Sequence, residues 1–161
     1  NFRQSEHDAD RASTLQRGYD FCGCVDWKWV FTSCSCGDSR LYLLRYKKVT
    51  PLTRDHSLLQ EFVDQGLYSR EEALAKVSRN ILTRALGLEP HIVIDYDYIK
   101  INKGDRFLLC SDGLYDMLSD EEIGLLLNRE HDVEGIALDM LELANARRST
   151  DNVSVIVIAG F

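Results

Sequence analysis

A chain of 161 residues, 45% hydrophobic and 28% charged, has the size and composition of one soluble domain with a core of its own. Its 26 acidic against 19 basic residues give a net charge of −7, which argues against a general nucleic-acid binder and suits a cluster of acids that holds cations. No apolar run approaches a membrane span, no signal peptide is visible, and an odd count of five cysteines points to a reduced, cytoplasmic setting.

Residues 1–17 are polar without a clear period and read as a lead-in to the folded region. From Tyr19 the texture changes. Two short apolar runs, "YDFCGCV" and "WVFTSCSC", lie around Asp26–Lys28 and predict an antiparallel hairpin. "GDSR" turns the chain and "LYLLRY" predicts a third strand. Ser57 is placed as the N-cap of a helix over residues 58–66, closed by Gly66. Ser69 with Glu72 three residues later forms a capping box that opens a second helix. "NILTRALG" is apolar with a glycine stop and completes a helical insert. "HIVIDYDYIKI" alternates apolar and polar residues and predicts a strand; "RFLLC" predicts a buried one. Ser119 and Glu122 make another capping box, and "VEGIALDMLELANARR" has helical periodicity. "NVSVIVIAGF" is a β-branched run and predicts a final buried strand. Strands, a helical insert, then strands with two helices between them define an α+β class.

Three aspartates share one setting at the rims of hydrophobic strands. Asp38 follows the strand ending at Cys36, Asp112 follows the strand ending at Cys110, and Asp151 precedes the strand starting near Val153. Taken singly, an Asp beside Gly or Ser is usually a turn residue bonding its own backbone. Three at strand ends can converge on one sheet edge, and hard cations such as magnesium or manganese take carboxylates and waters as ligands. His7, His56, His91 and His131 lie in polar or loop contexts and read as surface residues rather than catalytic bases.

From Gly18 onward the sequence resembles the PPM-type (type 2C) metal-dependent Ser/Thr protein phosphatases in their bacterial form. The resemblance rests on "CGDSRLYLLR", "LTRDHSLLQEFVDQGLYSREEA", "RNILTRALG", "GDRFLLCSDGLYDMLSDEEI" and "TDNVSVIVI", which agree in order and spacing. It implies a β-sandwich of mainly antiparallel strands flanked by helices, with a two-metal site between the sheets. It implies Mg or Mn as cofactor, phosphoproteins as substrates, and attack on phosphoserine or phosphothreonine by a metal-bound water, with no catalytic residue beyond the metal ligands. By resemblance, Asp112 and Asp151 are core metal ligands, and Asp38 shares a further, weaker metal with Asp112. Asn152 orients the last ligand, and Ser111 and Gly113 support Asp112. The insert at about residues 56–82 resembles a flap that bears on substrate choice.

The family's catalytic domain also carries an upstream phosphate-gripping Arg and an Asp-Gly-x-Gly-Gly motif, which this sequence lacks. The resemblance therefore implies that residues 18–161 are the C-terminal part of such a domain, with the remainder as its partner and little turnover by this chain alone. A catalytically inactive pseudophosphatase, serving as a binding or regulatory module, is the alternative. Gly18-Tyr19-Asp20 stands where the family has Gly-Thr-Thr. Cys22, Cys24, Cys34 and Cys36 read as core packing; a zinc site is the other reading, if all four thiols share one face.

Overall fold

The computed structural model describes residues 21–27, 30–87 and 90–160, with the backbone alone for 21–27. The polar lead-in at 1–17 and the Gly18-Tyr19-Asp20 departure lie outside the described residues.

Two antiparallel sheets form. β1 (Phe21–Trp27), β2 (Val30–Cys36) and β5 (Asp95–Lys100) make one, in the order β1-β2-β5. The other contains β3 (Arg40–Arg45), β4 (Lys48–Pro51), β6 (Arg106–Cys110) and β7 (Val155–Ile158), in the order β4-β3-β6-β7. Helices α1 (Leu58–Asp64) and α2 (Arg70–Lys76) lie between β4 and β5 in the chain. Helices α3 (Asp112–Tyr115), α4 (Asp120–Leu127) and α5 (Val133–Ala146) lie between β6 and β7.

The central strands β3 and β6 are apolar on both faces because both faces are covered. Leu41, Leu43, Phe107 and Leu109 point to the first sheet and pack with Phe31 and Ile101. The Phe31 and Phe107 rings stack with centroids 3.9 Å apart. The alternate residues Tyr42, Leu44, Leu108 and Cys110 point the other way and pack with Leu118, Ile123, Leu127, Ile136 and Met140 of the helical layer. The result is a sandwich with helices on the outer face of the four-stranded sheet. No helix among the described residues is long and apolar enough to cross a membrane.

Caps form where short-range chemistry dictates. Ser57 accepts from the Gln60 amide, and Ser69/Glu72 and Ser119/Glu122 form complete capping boxes. One strand escapes the sequence reading and three expectations change. β4 follows a two-residue turn at Tyr46 and Lys47, both left-handed (φ 52° and 64°), where hairpins usually use Asn or Gly; the hairpin therefore carries no sequence signature. Residues 80–87 form no helix, since the Leu58 amide donates to the Ile81 carbonyl and Ser57 bridges to Leu82. β7 is an edge strand rather than a buried one, with Ile156 58% exposed. The cysteines also divide. Cys22 and Cys24 pair with Ser35 and Ser33, whereas Cys34 and Cys36 pair with Gly23 and Phe21. Paired positions share a face and neighbours alternate, so the four positions fall on two faces of the sheet rather than one.

Candidate functional site

The register of β3 and β6 sets the site. Arg40 pairs with Cys110 at the end of the ladder. Asp38 stands two residues before Arg40 and Asp112 two residues after Cys110, so both leave the same end of the same strand pair. Cys110 also pairs with Val155, which brings Asp151, before β7, to that end of the sheet as well.

Asp38 follows a tight turn. Gly37 has φ 114°, a backbone state that side chains disfavour. Its N–H donates to His56 Nδ1 at 3.0 Å, and its carbonyl accepts from the His56 N–H at 2.9 Å. A backbone N–H only donates, so Nδ1 is the bare nitrogen and Nε2–H donates to Asp95 Oδ2 at 3.0 Å. Arg84 donates to Asp95 Oδ1 at 2.8 Å. The His56 hydrogen bond, followed by the Arg84 contact, outweighs burial and holds the Asp95 carboxyl below its ordinary pKa. His56 is thus not the surface residue its context predicted: it is 3% exposed, because the turn needs a buried acceptor.

The other side of this turn is held by aromatic and ionic contacts. The Tyr115 hydroxyl donates to the Asp38 carbonyl at 3.0 Å. The Arg40 guanidinium lies 3.7 Å from the Tyr115 ring centroid and forks onto Asp55 at 2.8 and 2.6 Å. Burial opposes the Arg40 charge, but Asp55 and Tyr42 outweigh it and raise its pKa. Burial pushes the Tyr115 hydroxyl pKa up, reinforced by the charge of Asp38, so it remains a donor.

Asp112 opens the one-turn α3 and accepts from the Gly113 amide at 2.8 Å. Ser111 fastens this corner to the loop before β7. Its hydroxyl donates to the Asn152 carbonyl at 2.9 Å and accepts from the Ser154 amide at 3.0 Å, while its own amide donates to the Ser154 carbonyl at 3.1 Å. Gly113 is the close approach: a Cβ there would lie 2.5 Å from the Asn152 carbonyl oxygen. Ser149 completes the joint by donating to the Gly113 carbonyl at 3.1 Å. Asp151 accepts from the Asn152 amide at 2.7 Å.

Asp38 and Asp112 line one cavity of about 420 Å³, together with Arg40, Tyr115, Arg70 and Arg79. Arg70 belongs to α2 and Arg79 follows it, so the insert forms part of the cavity wall. Arg79 is held by Asp116 at 2.9 Å. Asp151 is not among the lining residues. Among the described residues, no three His, Cys, Asp or Glu side chains come together as a metal-holding group. Two carboxylates on one cavity nevertheless suit magnesium or manganese, which are often held by one or two carboxylates with waters and substrate phosphate filling the rest. Sequence reasoning missed His56, Asp95, Arg40, Asp55 and Tyr115. The hydrogen bonds that join these residues to one another and to the Asp38 turn span 15 to 77 residues, and only the adjacent acid and base in "DHS" hinted at a polar junction.

No protein-family model matches the chain. Individual proteins do. The serine/threonine phosphatase stp of Listeria monocytogenes is 36% identical over 122 residues, 76% of this chain and 48% of that protein. The solved Mycobacterium tuberculosis serine/threonine phosphatase PstP/Ppp superposes with a TM-score of 0.81 at 35% identity, covering 87% of this chain and 59% of that one. The catalytic domain of PstP in complex with two manganese ions superposes with a TM-score of 0.72 at 36% identity, covering 84% and 56%. The chain spans about half the length of the curated relatives it matches. By sequence and fold the chain is homologous to the bacterial PPM-type (protein phosphatase 2C) Ser/Thr phosphatases and matches the C-terminal part of their catalytic domain.

Proposed function

We propose, with that similarity as premise, that Asp38 and Asp112 hold a magnesium or manganese ion at the cavity, and that the domain containing this chain hydrolyses phosphoserine and phosphothreonine in proteins. The observation that carries the reading is the β3–β6 register, which delivers two carboxylates from one sheet end into one cavity. The manganese ions in the PstP relative support the same cofactor class. When bound, such an ion acidifies a water and neutralises charge on a phosphoryl group.

The chain's own residues supply the frame. Tyr115 and the Arg40–Asp55 fork hold the Asp38 turn, and Ser111 and Gly113 hold the Asp112 corner. We assign Asp151 as a further ligand, oriented with Asn152 by the Gly113 contact. Arg70 and Arg79 present positive charge to the cavity from the flap-like insert at about residues 56–82, which suits an anionic phosphopeptide. The partner for catalysis is the portion of the family domain that this chain does not span, and the setting is cytoplasmic.

Calorimetric titration with Mn²⁺ tests the metal assignment. The chain binds, and Asp112→Asn loses binding; equal affinity in both would refute it. One observation favours a second reading, an inactive binding module: the described residues hold no grouped triad of metal-ligating side chains. The full-length domain, assayed with Mn²⁺ on a phosphothreonine peptide, separates the two, since the module predicts binding without release of phosphate.

A further inference from the structure

We infer that His56, with Asp95 behind it, is a positioning residue for Asp38, a role that rests on the proposed metal reading of Asp38. Three observations converge on it. The Gly37 peptide is gripped from both sides by one residue, its N–H by the His56 ring and its carbonyl by the His56 backbone. Gly37 has left-handed φ, a state held here by specific partners, and the next residue is Asp38. The ring itself is locked, because Nε2–H meets Asp95 and Asp95 is fixed by Arg84.

The network has a wider reach than the turn. Asp95 is the first residue of β5, in the other sheet. The His56 carbonyl accepts from Thr83 at 2.8 Å, and Arg84 follows Thr83 in the segment that closes the insert. His56 therefore ties the direction of Asp38 to both the three-stranded sheet and the end of the insert. This is the arrangement by which residues outside a metal's ligand set fix its ligands. A neutral imidazole suits the task, since one nitrogen accepts from a peptide N–H while the other donates to a carboxylate.

The test is Mn²⁺ titration of the chain beside four variants, with thermal unfolding recorded for each. Asp38→Asn reports on the underlying metal reading. His56→Leu removes both arms and is expected to weaken Mn²⁺ binding about tenfold or more. His56→Asn places an amide oxygen where Nδ1 stands, and is expected to restore most of the lost affinity. Asp95→Ala removes the outer arm at a half-exposed position that tolerates change, and is expected to cause a smaller loss in the same direction. If Asp38→Asn weakens binding but Asp95→Ala and a folded His56→Leu bind as tightly as the parent, the positioning role is overturned and the metal reading stands. A parent that does not bind Mn²⁺, or an Asp38→Asn variant of unchanged affinity, overturns the metal reading and the positioning role with it.

Discussion

The two corners that carry Asp38 and Asp112 leave the same end of one strand pair, yet they are built differently. The Asp38 turn is held by side chains reaching in from afar: the His56 ring, the Tyr115 hydroxyl and the Arg40–Asp55 fork. The Asp112 corner is held by short hydroxyl bridges, from Ser111 to Asn152 and Ser154 and from Ser149 to the Gly113 carbonyl, around an approach of Gly113 to the Asn152 backbone that leaves no room for a Cβ. Side-chain clamps can be weakened one arm at a time. A backbone contact at this distance has no room for any side chain, so it holds or the whole joint shifts.

The largest effect is therefore expected at Gly113. Gly113→Ala puts a methyl group 2.5 Å from the Asn152 carbonyl oxygen. Overpacking of this kind costs about 1–3 kcal/mol, and here it also pushes the Asp151 loop away from Asp112. Urea unfolding of the variant should show that loss, and a stability within a few tenths of the parent would mean that the corner yields easily. At the Asp38 turn the matching change is milder. Tyr115→Phe deletes a single hydrogen bond to the Asp38 carbonyl and keeps the ring under Arg40, so about 1 kcal/mol is expected by the same measurement. A loss larger than that of Gly113→Ala would invert the comparison.

The smallest effect lies away from both corners. Glu122 is partly exposed, caps α4 through the Ser119 amide and pairs with Arg147. The Arg147 hydrogen bond, followed by the Ser119 amide, lowers its pKa from 4.5 to about 2. A lowered carboxylate pKa stabilises the fold above the ordinary value, and that contribution is lost as pH falls from 4.5 toward 2. Solvent screening keeps the effect small. Glu122→Gln should lower the unfolding temperature slightly near pH 7, with the deficit shrinking as pH falls from 4.5 toward 2; an unaltered acid limb would refute the assignment.

Much of the molecule was legible because the signals are local. Ser57, Ser69 and Ser119 cap helices through groups three residues away, so their roles can be read from a short window. The continuous apolar runs at 41–44 and 107–110 marked the strands with two covered faces; the polar residues beside them marked Asp38 and Asp112, and those before the last β-branched run marked Asp151. The family resemblance rested on those same stretches.

What the tertiary structure alone decided depends on pairing between distant residues. The exposure of β7 follows from its place at a sheet edge, which a β-branched run does not specify. The division of the cysteines follows from register, where a shift of one residue exchanges the faces. The burial of His56 follows from a bond to Gly37, 19 residues away, and a second to Asp95, 39 residues away. Composition and spacing by themselves determined the class of fold and the carboxylates at its strand ends. Only the folded chain, by pairing Arg40 with Cys110, decided which of them share a cavity and what holds them there.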